Sequence, residues 1–434
     1  MSDKRFHLGW FTYFGQNAWN DPLGSAPEPW AGDLHIDLAR AMERACFDYM
    51  LIEDTLSIPA IHGGSNAAYL KHGIMVPKHD PAPLAAVLGN LTTHLGIVVT
   101  LSTMAYPPFM LARLAATIDH LSRGRFGWNI VTSTEDAAAR NFGKSEMPPR
   151  ALRYDMADEY VDLVTRLLES WEPDAVIRDH ATDTYADASK IHAVNFEGKY
   201  FRAQGPLNTV PSPQGRPAYI QAGGSPRGRE FAAKHADSII ATTNGIDGMQ
   251  RYRNDVRARA VSQGRDPDSI KVLFLVAPVV ADTMQEARDQ YERVLASPGF
   301  TERSLALFGS FVDIDFSTYD LDQPLPPLTT NAEQGALDKF CQAGSGKTLR
   351  QLVRDSGTGS TLELVGTPDH VAGLMGEAME AVGGDGFLLS TPYHRLTRSY
   401  IASITDGLVP ALQRRGLTRT AYSKTTLRET LLEF

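Results

Sequence analysis

The chain has 434 residues, 43% hydrophobic and 9% aromatic, which is enough for a large core and, though long for one ordinary domain, usual for an α/β barrel with insertions. With 42 Lys and Arg against 51 Asp and Glu the net charge is −9, and no basic cluster is long enough to track a phosphate backbone, so nucleic acid is disfavoured as a partner. Two cysteines, Cys46 and Cys341, make no disulfide framework, the charged start MSDKRFHLGW is no signal peptide, and no apolar run reaches membrane-spanning length, so the expectation is a cytoplasmic protein.

Phe6 to Phe14 is dense in aromatic residues and reads as a first strand buried on both faces, with Trp10, Phe11, Tyr13 and Phe14 as barrel core or, for one or two of them, as the lining of an organic substrate pocket. A loop with Gln16, Asn17 and Trp19 follows. From Asp33, a plausible N-cap, Leu34, Leu38, Ala41, Met42 and Ala45 recur at helical spacing, and Tyr49 to Ile52 is a second strand ending at Glu53, Asp54 and Thr55. Pro59 to Pro83 lacks periodicity and reads as a long loop; Gly96 to Leu101 is the third strand. Phe109 to Ser122 is an amphipathic helix. Arg125 to Thr132 is a fourth strand opening into Ser133 and Thr134, followed by a long irregular connection to Arg150 and a helix from Asp155 to Ser170.

Residues 171–214 are polar and rich in turn formers. Ala218 to Gln221 and Ser238 to Thr242 are the fifth and sixth strands, with a helix over Arg229 to His235 between them; Lys271 to Val280 is the seventh. A helix from Glu286 to Leu295, an insertion over 298–360 and a helix from Val371 to Val382 precede the eighth strand, Gly386 to Ser390. Strands alternating with helices predict an α/β fold, a (β/α)8 TIM barrel, as one domain over 1–434 with excursions at about 55–83, 171–214 and 298–360.

In such a barrel the binding groups gather where strands end, which singles out Asn129 and Ser133. Gln221 to Gly228 (QAGGSPRG) joins the fifth strand to a helix, so its backbone N–H groups and the Ser225 hydroxyl suit a phosphate, although a tight turn explains the same glycines. Asp54 divides evenly between capping a helix and touching a ligand; Thr100 is also simply a good strand residue, and Tyr154 alone reads as packing. His62, His72 and His79 share one loop without metal-ligand spacing, so no metal is expected. Lys71, His72, Lys78 and Arg150 would make a positive mouth for an acidic substrate if they faced it, against the default that charged loop residues are solvated.

GWNIVTS, then ARNFG and a tyrosine opening an acidic helix (RYDMADEY), with FHLGWF, YPPF, SPQGRP, QAGGSPRG and TAYSKTTLRETL, resemble the flavin-dependent monooxygenases of the bacterial luciferase superfamily, in particular the nitrilotriacetate and dibenzothiophene-sulfone monooxygenase group. The resemblance covers nearly the whole chain. It implies a two-component enzyme: a separate NAD(P)H:FMN reductase supplies FMNH2, O2 adds to give a flavin C4a-peroxide, and one oxygen atom enters a small organic substrate, usually with oxidative C–N or C–S cleavage. Carried over residue by residue, it implies that Asp54, Thr100, Arg150, Tyr154, Gly224 and Ser225 contact FMN, the last three at its phosphate. Asn17, His72, Asn129 and Ser133 are weaker candidates for the flavin ring edge or the substrate. Arg150 stands where relatives tend to carry histidine; it can hold a phosphate but cannot shuttle a proton, and no catalytic acid or base is identified. A homodimer or homotetramer is also implied. A deazaflavin-dependent oxidoreductase and a catalytically silent flavin-binding protein are the alternatives on the same barrel.

Overall fold

The computed structural model describes residues 5–15, 19, 29–330, 332–342, 346–356, 360–392 and 396–434. Asn17 lies outside the described residues. Eight parallel strands close into a TIM barrel: β1 His7–Tyr13, β2 Tyr49–Glu53, β3 Gly96–Ser102, β4 Phe126–Val131, β5 Ala218–Ala222, β6 Ser238–Ala241, β7 Lys271–Val276 and β8 Gly386–Ser390. Closure occurs at β1, which pairs with β2 on one side (Gly9 opposite Tyr49) and with β8 on the other (His7 opposite Gly386). β3 is buried at every position, as a parallel strand covered on both faces must be. Side chains alternate accordingly: Tyr49, Leu51, Val98, Ile220, Leu273 and Leu388 fill the barrel, while Trp10, Val99, Trp128, Ile130 and Leu389 face the helices.

The N-terminal end of the barrel is sealed. A short helix, Leu427–Leu431, starts with a Thr426/Glu429 capping box, puts Leu427 and Leu431 into the interior cluster, and donates the Leu427 N–H to the Gly124 carbonyl at 3.0 Å. Beside it the buried Asp48 carboxylate accepts from Leu8 N at 2.7 Å, His7 Nδ1 at 2.7 Å and Arg419 Nη2 at 2.6 Å. Burial opposes the charge, but Arg419 and His7 outweigh it and hold this carboxyl below its usual range.

The helices before β8, in chain order among the described residues, are α1 Asp33–Arg44, α2 Ala67–His72, α3 Pro81–Leu91, α4 Pro108–Leu121, α5 Asp136–Asn141, α6 Arg150–Leu168, α7 Pro226–His235, α8 Gly245–Ser262, α9 Met284–Leu295, α10 Phe300–Val312, α11 Gln334–Gln342, α12 Leu349–Ser356 and α13 Pro368–Val382. Several depart from the sequence expectation. Gly32, at φ 78°, takes the N-cap of α1 in place of Asp33, which is the first helical residue. The stretch read as loop from Pro59 to Pro83 contains α2 and the start of α3. There Asp80 caps the helix by accepting from Ala82 N at 2.9 Å, and Pro81 occupies a first-turn position that needs no donor. The seventh strand stops at Val276 because Pro278 has no N–H for the ladder; Val279–Val280 pairs instead with Val365–Gly366.

The 171–214 excursion follows α6 and leads back to β5, so it lies at the N-terminal end, and it carries two small hairpins, Val176–Asp179 with Thr184–Ala186 and Phe196–Glu197 with Arg202–Ala203. The 298–360 insertion holds α10 to α12, packed on Phe316, Leu337 and Phe340, and Tyr69, Ile74 and Met75 pack against Ala306 to join it to α2. Among the described residues no helix is long and apolar enough to cross a membrane.

A Cβ at Gly386 would collide with the His7 carbonyl across the closing pair of strands. Gly386→Ala therefore forces β8 away from β1 and should cost roughly 2–3 kcal/mol. Thermal or urea unfolding should show the loss, and an unchanged midpoint would mean that closure tolerates a wider gap.

Candidate active site

The C-terminal rim is the open end, and two groups of polar side chains meet there. The first lines the inner wall. Thr100 on β3 and Asn129 on β4 are partners in register, and Asn129 Nδ2 donates to Thr100 Oγ1 at 2.8 Å. Asn129 is buried, yet its Oδ1 has no partner among the described residues. One step up, the Ser102 and Ser133 hydroxyls are 2.7 Å apart, with Ser133 held at φ 50°, a conformation that costs a non-glycine residue energy and is found most often at ligand sites. Glu53, at the end of β2, is bonded to Lys78. Asp54 beside it keeps one close contact, accepting from Thr55 N at 2.8 Å. Burial first, and then repulsion by Glu53, pushes the Asp54 carboxyl up to about 7.

The second group is a cradle between β5, α6 and α7. Ser225 is the N-cap of α7, its Oγ accepting from Gly228 N at 3.1 Å, which leaves the hydroxyl proton free to donate. Tyr154 on α6 reaches the same turn: a Cβ at Gly228 would stand 2.8 Å from the Tyr154 hydroxyl, so only glycine admits it. Burial raises the Tyr154 pKa, and the nearby Glu333 carboxylate adds to it, so the phenol stays a donor at neutral pH. Gln221 at the end of β5 donates Nε2 to the Ala222 carbonyl at 2.9 Å and leaves a buried Oε1 without a partner among the described residues. Tyr252 on α8 supports the turn by donating to the Gly223 carbonyl at 2.5 Å. Arg150, the first residue of α6 and one helical turn before Tyr154, reaches the Ala332 carbonyl at 3.5 Å.

The structure thus brings Arg150, Tyr154, Gly224 and Ser225 to one turn, and Thr100, Asn129 and Ser133 to one wall. His72 belongs to neither group: its Nε2 donates to Glu302 at 2.7 Å, clasping α2 to the insertion. The positive mouth does not form. Lys71 and His72 both pair with Glu302 and Lys78 with Glu53, and the charges left facing the mouth include Asp54 and Glu333. Gln221 and Tyr252 were not singled out by spacing, although Gln221 opens the QAGGSPRG turn; Glu333 sits in a stretch whose prolines and glycines gave no periodic signal. Among the described residues no group of His, Cys, Asp and Glu gathers as metal ligands would.

Residues 6–386 match the model of the luciferase-like monooxygenase family. The chain is 32% identical to the dimethyl-sulfide monooxygenase of Hyphomicrobium sulfonivorans over 98% of its length and 89% of the relative. To the dibenzothiophene-sulfone monooxygenase of Rhodococcus erythropolis it is 35% identical, over 92% and 90%. Among solved structures, a riboflavin lyase crystallised with modified FMN and its substrate riboflavin superposes with a TM-score of 0.88 at 35% identity, covering 99% of this chain and 96% of that one. An F420-dependent secondary alcohol dehydrogenase, the deazaflavin branch, is 16% identical at a TM-score of 0.61, a likeness of fold alone. The chain belongs to the bacterial luciferase-like monooxygenase family and is a flavin-dependent monooxygenase.

Proposed function

We propose that this chain is the oxygenase of a two-component system: it takes FMN in reduced form from a separate NAD(P)H:FMN reductase in the cytoplasm, uses O2, and oxygenates a small organic substrate with cleavage of a C–S or C–N bond. The observation that carries the FMN part is the Gln221 Oε1 acceptor, buried without a partner among the described residues beside a capped helix N-terminus, together with Asn129 Oδ1, likewise unpartnered among them on the inner face of the neighbouring strand. Buried polar atoms without partners are rare and call for a ligand with donors, and an exposed set of N–H groups at a helix start calls for an anion. A flavin phosphate presents both kinds of group.

In this proposal the Ser225 hydroxyl, the N–H groups opening α7 and the Tyr154 phenol hold the phosphate, and Arg150 adds charge in bidentate geometry. Asn129 and Thr100 meet the ring edge, and Asp54, titrating near neutrality, can either donate or accept there. Bound reduced FMN supplies the electrons that activate O2; the protein orients it and keeps water away. The insertion and α2, clasped through Glu302, are placed to do the latter within a single domain. The dimethyl-sulfide and dibenzothiophene-sulfone relatives support sulfur compounds as the first substrates to screen.

Anaerobic titration with reduced FMN should show saturable binding, weakened roughly tenfold by Ser225→Ala with circular dichroism unchanged. Unaltered affinity in the variant removes the phosphate site, and no binding by the wild type sinks the proposal. Asp54 gives a second expectation. Its folded pKa lies above the unfolded value, so the folded state binds more protons and stability declines as pH rises from about 4 to 7. Asp54→Asn should therefore stabilise the protein by on the order of 1–2 kcal/mol at about pH 8 and by nothing near pH 4. Thermal unfolding across that range tests it; a gain independent of pH would locate the titrating group elsewhere.

A further inference from the structure

Two hydroxyls close the inner wall, and their protons can be placed by elimination. Ser102 ends β3 on the same side of the strand as Val98, which fills the barrel, and Thr100, which pairs with Asn129, so its side chain points over the barrel axis. Its Oγ is buried, accepts from Met104 N at 3.1 Å and stands 2.7 Å from Ser133 Oγ. Among the described residues no other acceptor bonds the Ser102 proton, and a buried hydroxyl does not leave its proton unused, so Ser102 donates to Ser133. Ser133 keeps its own proton. No described residue accepts it, and the half-buried side chain presents it to the mouth.

The backbone holds this arrangement in place. The ladder between β3 and β4 runs one bond past the strands, Thr103 N donating to the Val131 carbonyl at 3.0 Å, and Ser133 follows at φ 50°, a conformation unfavourable for any residue with a side chain. A chain of hydrogen bonds from a backbone N–H through one hydroxyl to the next makes the last proton a stronger donor. Height separates this pair from the one below. Ser102 lies two residues beyond Thr100 on β3, about 6.6 Å along the strand, whereas a hydrogen bond spans about 3 Å. A ring edge held by Thr100 and Asn129 is thus one tier beneath the Ser133 hydroxyl, which meets whatever is bound above it.

We propose that Ser133 is a specificity-determining residue that donates to an oxygen carried by the substrate, with Ser102 as its positioning residue, and that the chain therefore selects sulfones over the corresponding sulfides. This inference rests on the FMN reading above, which puts the flavin at the lower tier and the substrate at the upper. A sulfone oxygen accepts hydrogen bonds well, whereas a sulfide sulfur accepts them weakly. A hydroxyl that meets a sulfide gives up its water and gains little in return, so the same proton that holds a sulfone disfavours its sulfide.

The test is equilibrium binding of dimethyl sulfone and dimethyl sulfide, and of dibenzothiophene sulfone and dibenzothiophene, to the full chain loaded anaerobically with reduced FMN. Wild type, Ser133→Ala, Ser133→Gly and Ser102→Ala are compared, with thermal unfolding confirming that each is folded. Glycine suits φ 50° better than alanine and carries the test should Ser133→Ala not fold. In wild type at least one sulfone should bind roughly tenfold more tightly than its sulfide. Both Ser133 variants should bring that ratio to about one through loss of sulfone affinity, and Ser102→Ala should lower it in part, with reduced-FMN affinity unchanged in all three. An unchanged ratio in Ser102→Ala removes its positioning role. Equal binding of sulfone and sulfide by wild type, binding of none of the four compounds, or a ratio that survives in the Ser133 variants overturns the role of Ser133 while leaving the FMN site standing. Weaker FMN binding in Ser133→Gly with the ratio intact gives the hydroxyl to the flavin and overturns that role as well. Failure of wild type to bind reduced FMN overturns both readings.

Discussion

Closure of the sheet is the constraint from which the rest follows. When β1 must pair in parallel with both β2 and β8, every strand points the same way and all the C-terminal ends share one rim. Gly386 permits the closing contact, and the short helix carrying Leu427 and Leu431 fills the other end. Only one end is then left where polar strand termini can reach a ligand, and the candidate binding groups are found there. The same residue type shows the difference between the two ends. Asp48 at the base has three donors and is held ionised; Asp54 at the rim has a like charge beside it and titrates near neutrality. The base offsets the cost of buried charge internally, whereas the mouth leaves groups unmatched until something binds.

Connections at the rim surround this geometry. The 298–360 insertion is held to α2 by apolar packing and by His72 and Lys71 on Glu302, and it is held to the cradle by Gly335 on Gly224. A cofactor whose reduced form reacts with oxygen needs water excluded around the reacting atoms, and under the proposed function the insertion, with its own core on Phe316, Leu337 and Phe340 and anchored on two sides of the mouth, would serve as the cover. Arg150 fits the same scheme. Placed one turn before Tyr154 and bonded to the insertion, it stands where the proposed function would use it to bind an anion.

The barrel was legible in the sequence because each strand had to be apolar on both faces and each was followed by turn residues; all eight were found within a few residues. What was illegible has particular causes. Pro81 and Pro83 signal a loop in the sequence pattern, although the first turn of a helix is where proline is tolerated, and α3 begins there. Pro278 lies inside an apolar run that otherwise continues to Val280, so the pattern predicts a longer β7 than the one that ends at Val276. At the site, Tyr154, Gly224, Ser225 and Arg150 came from the resemblance and do converge. Lys78 and His72 were expected to offer positive charge, but a sequence pattern does not state which acid will lie opposite a loop residue, and Glu53 and Glu302 neutralise them. Glu333 had no pattern to betray it, since its placement depends on how the insertion folds back over the barrel.

The two halves of the site differ in what fixes them, and this bears on specificity. The cradle depends on the start of α7, on glycines at 224 and 228 and on one hydroxyl at each of Ser225 and Tyr154, so under the proposed function it would hold a phosphate largely by backbone and say little about a substrate. The wall is set by Thr100, Asn129, Ser102 and Ser133, and the roof by α2 and the insertion. Relatives of about one-third identity act on dimethyl sulfide, on dibenzothiophene sulfone and, for the lyase, on riboflavin, molecules with little shape in common. A rigid barrel interior filled by Tyr49, Leu51 and Leu388 has no room to adapt to such a range. The connections above the rim are where this fold can differ from one relative to the next, and in this chain the connection that leaves β2 begins with Asp54, whose carboxyl burial and Glu53 push up to about 7.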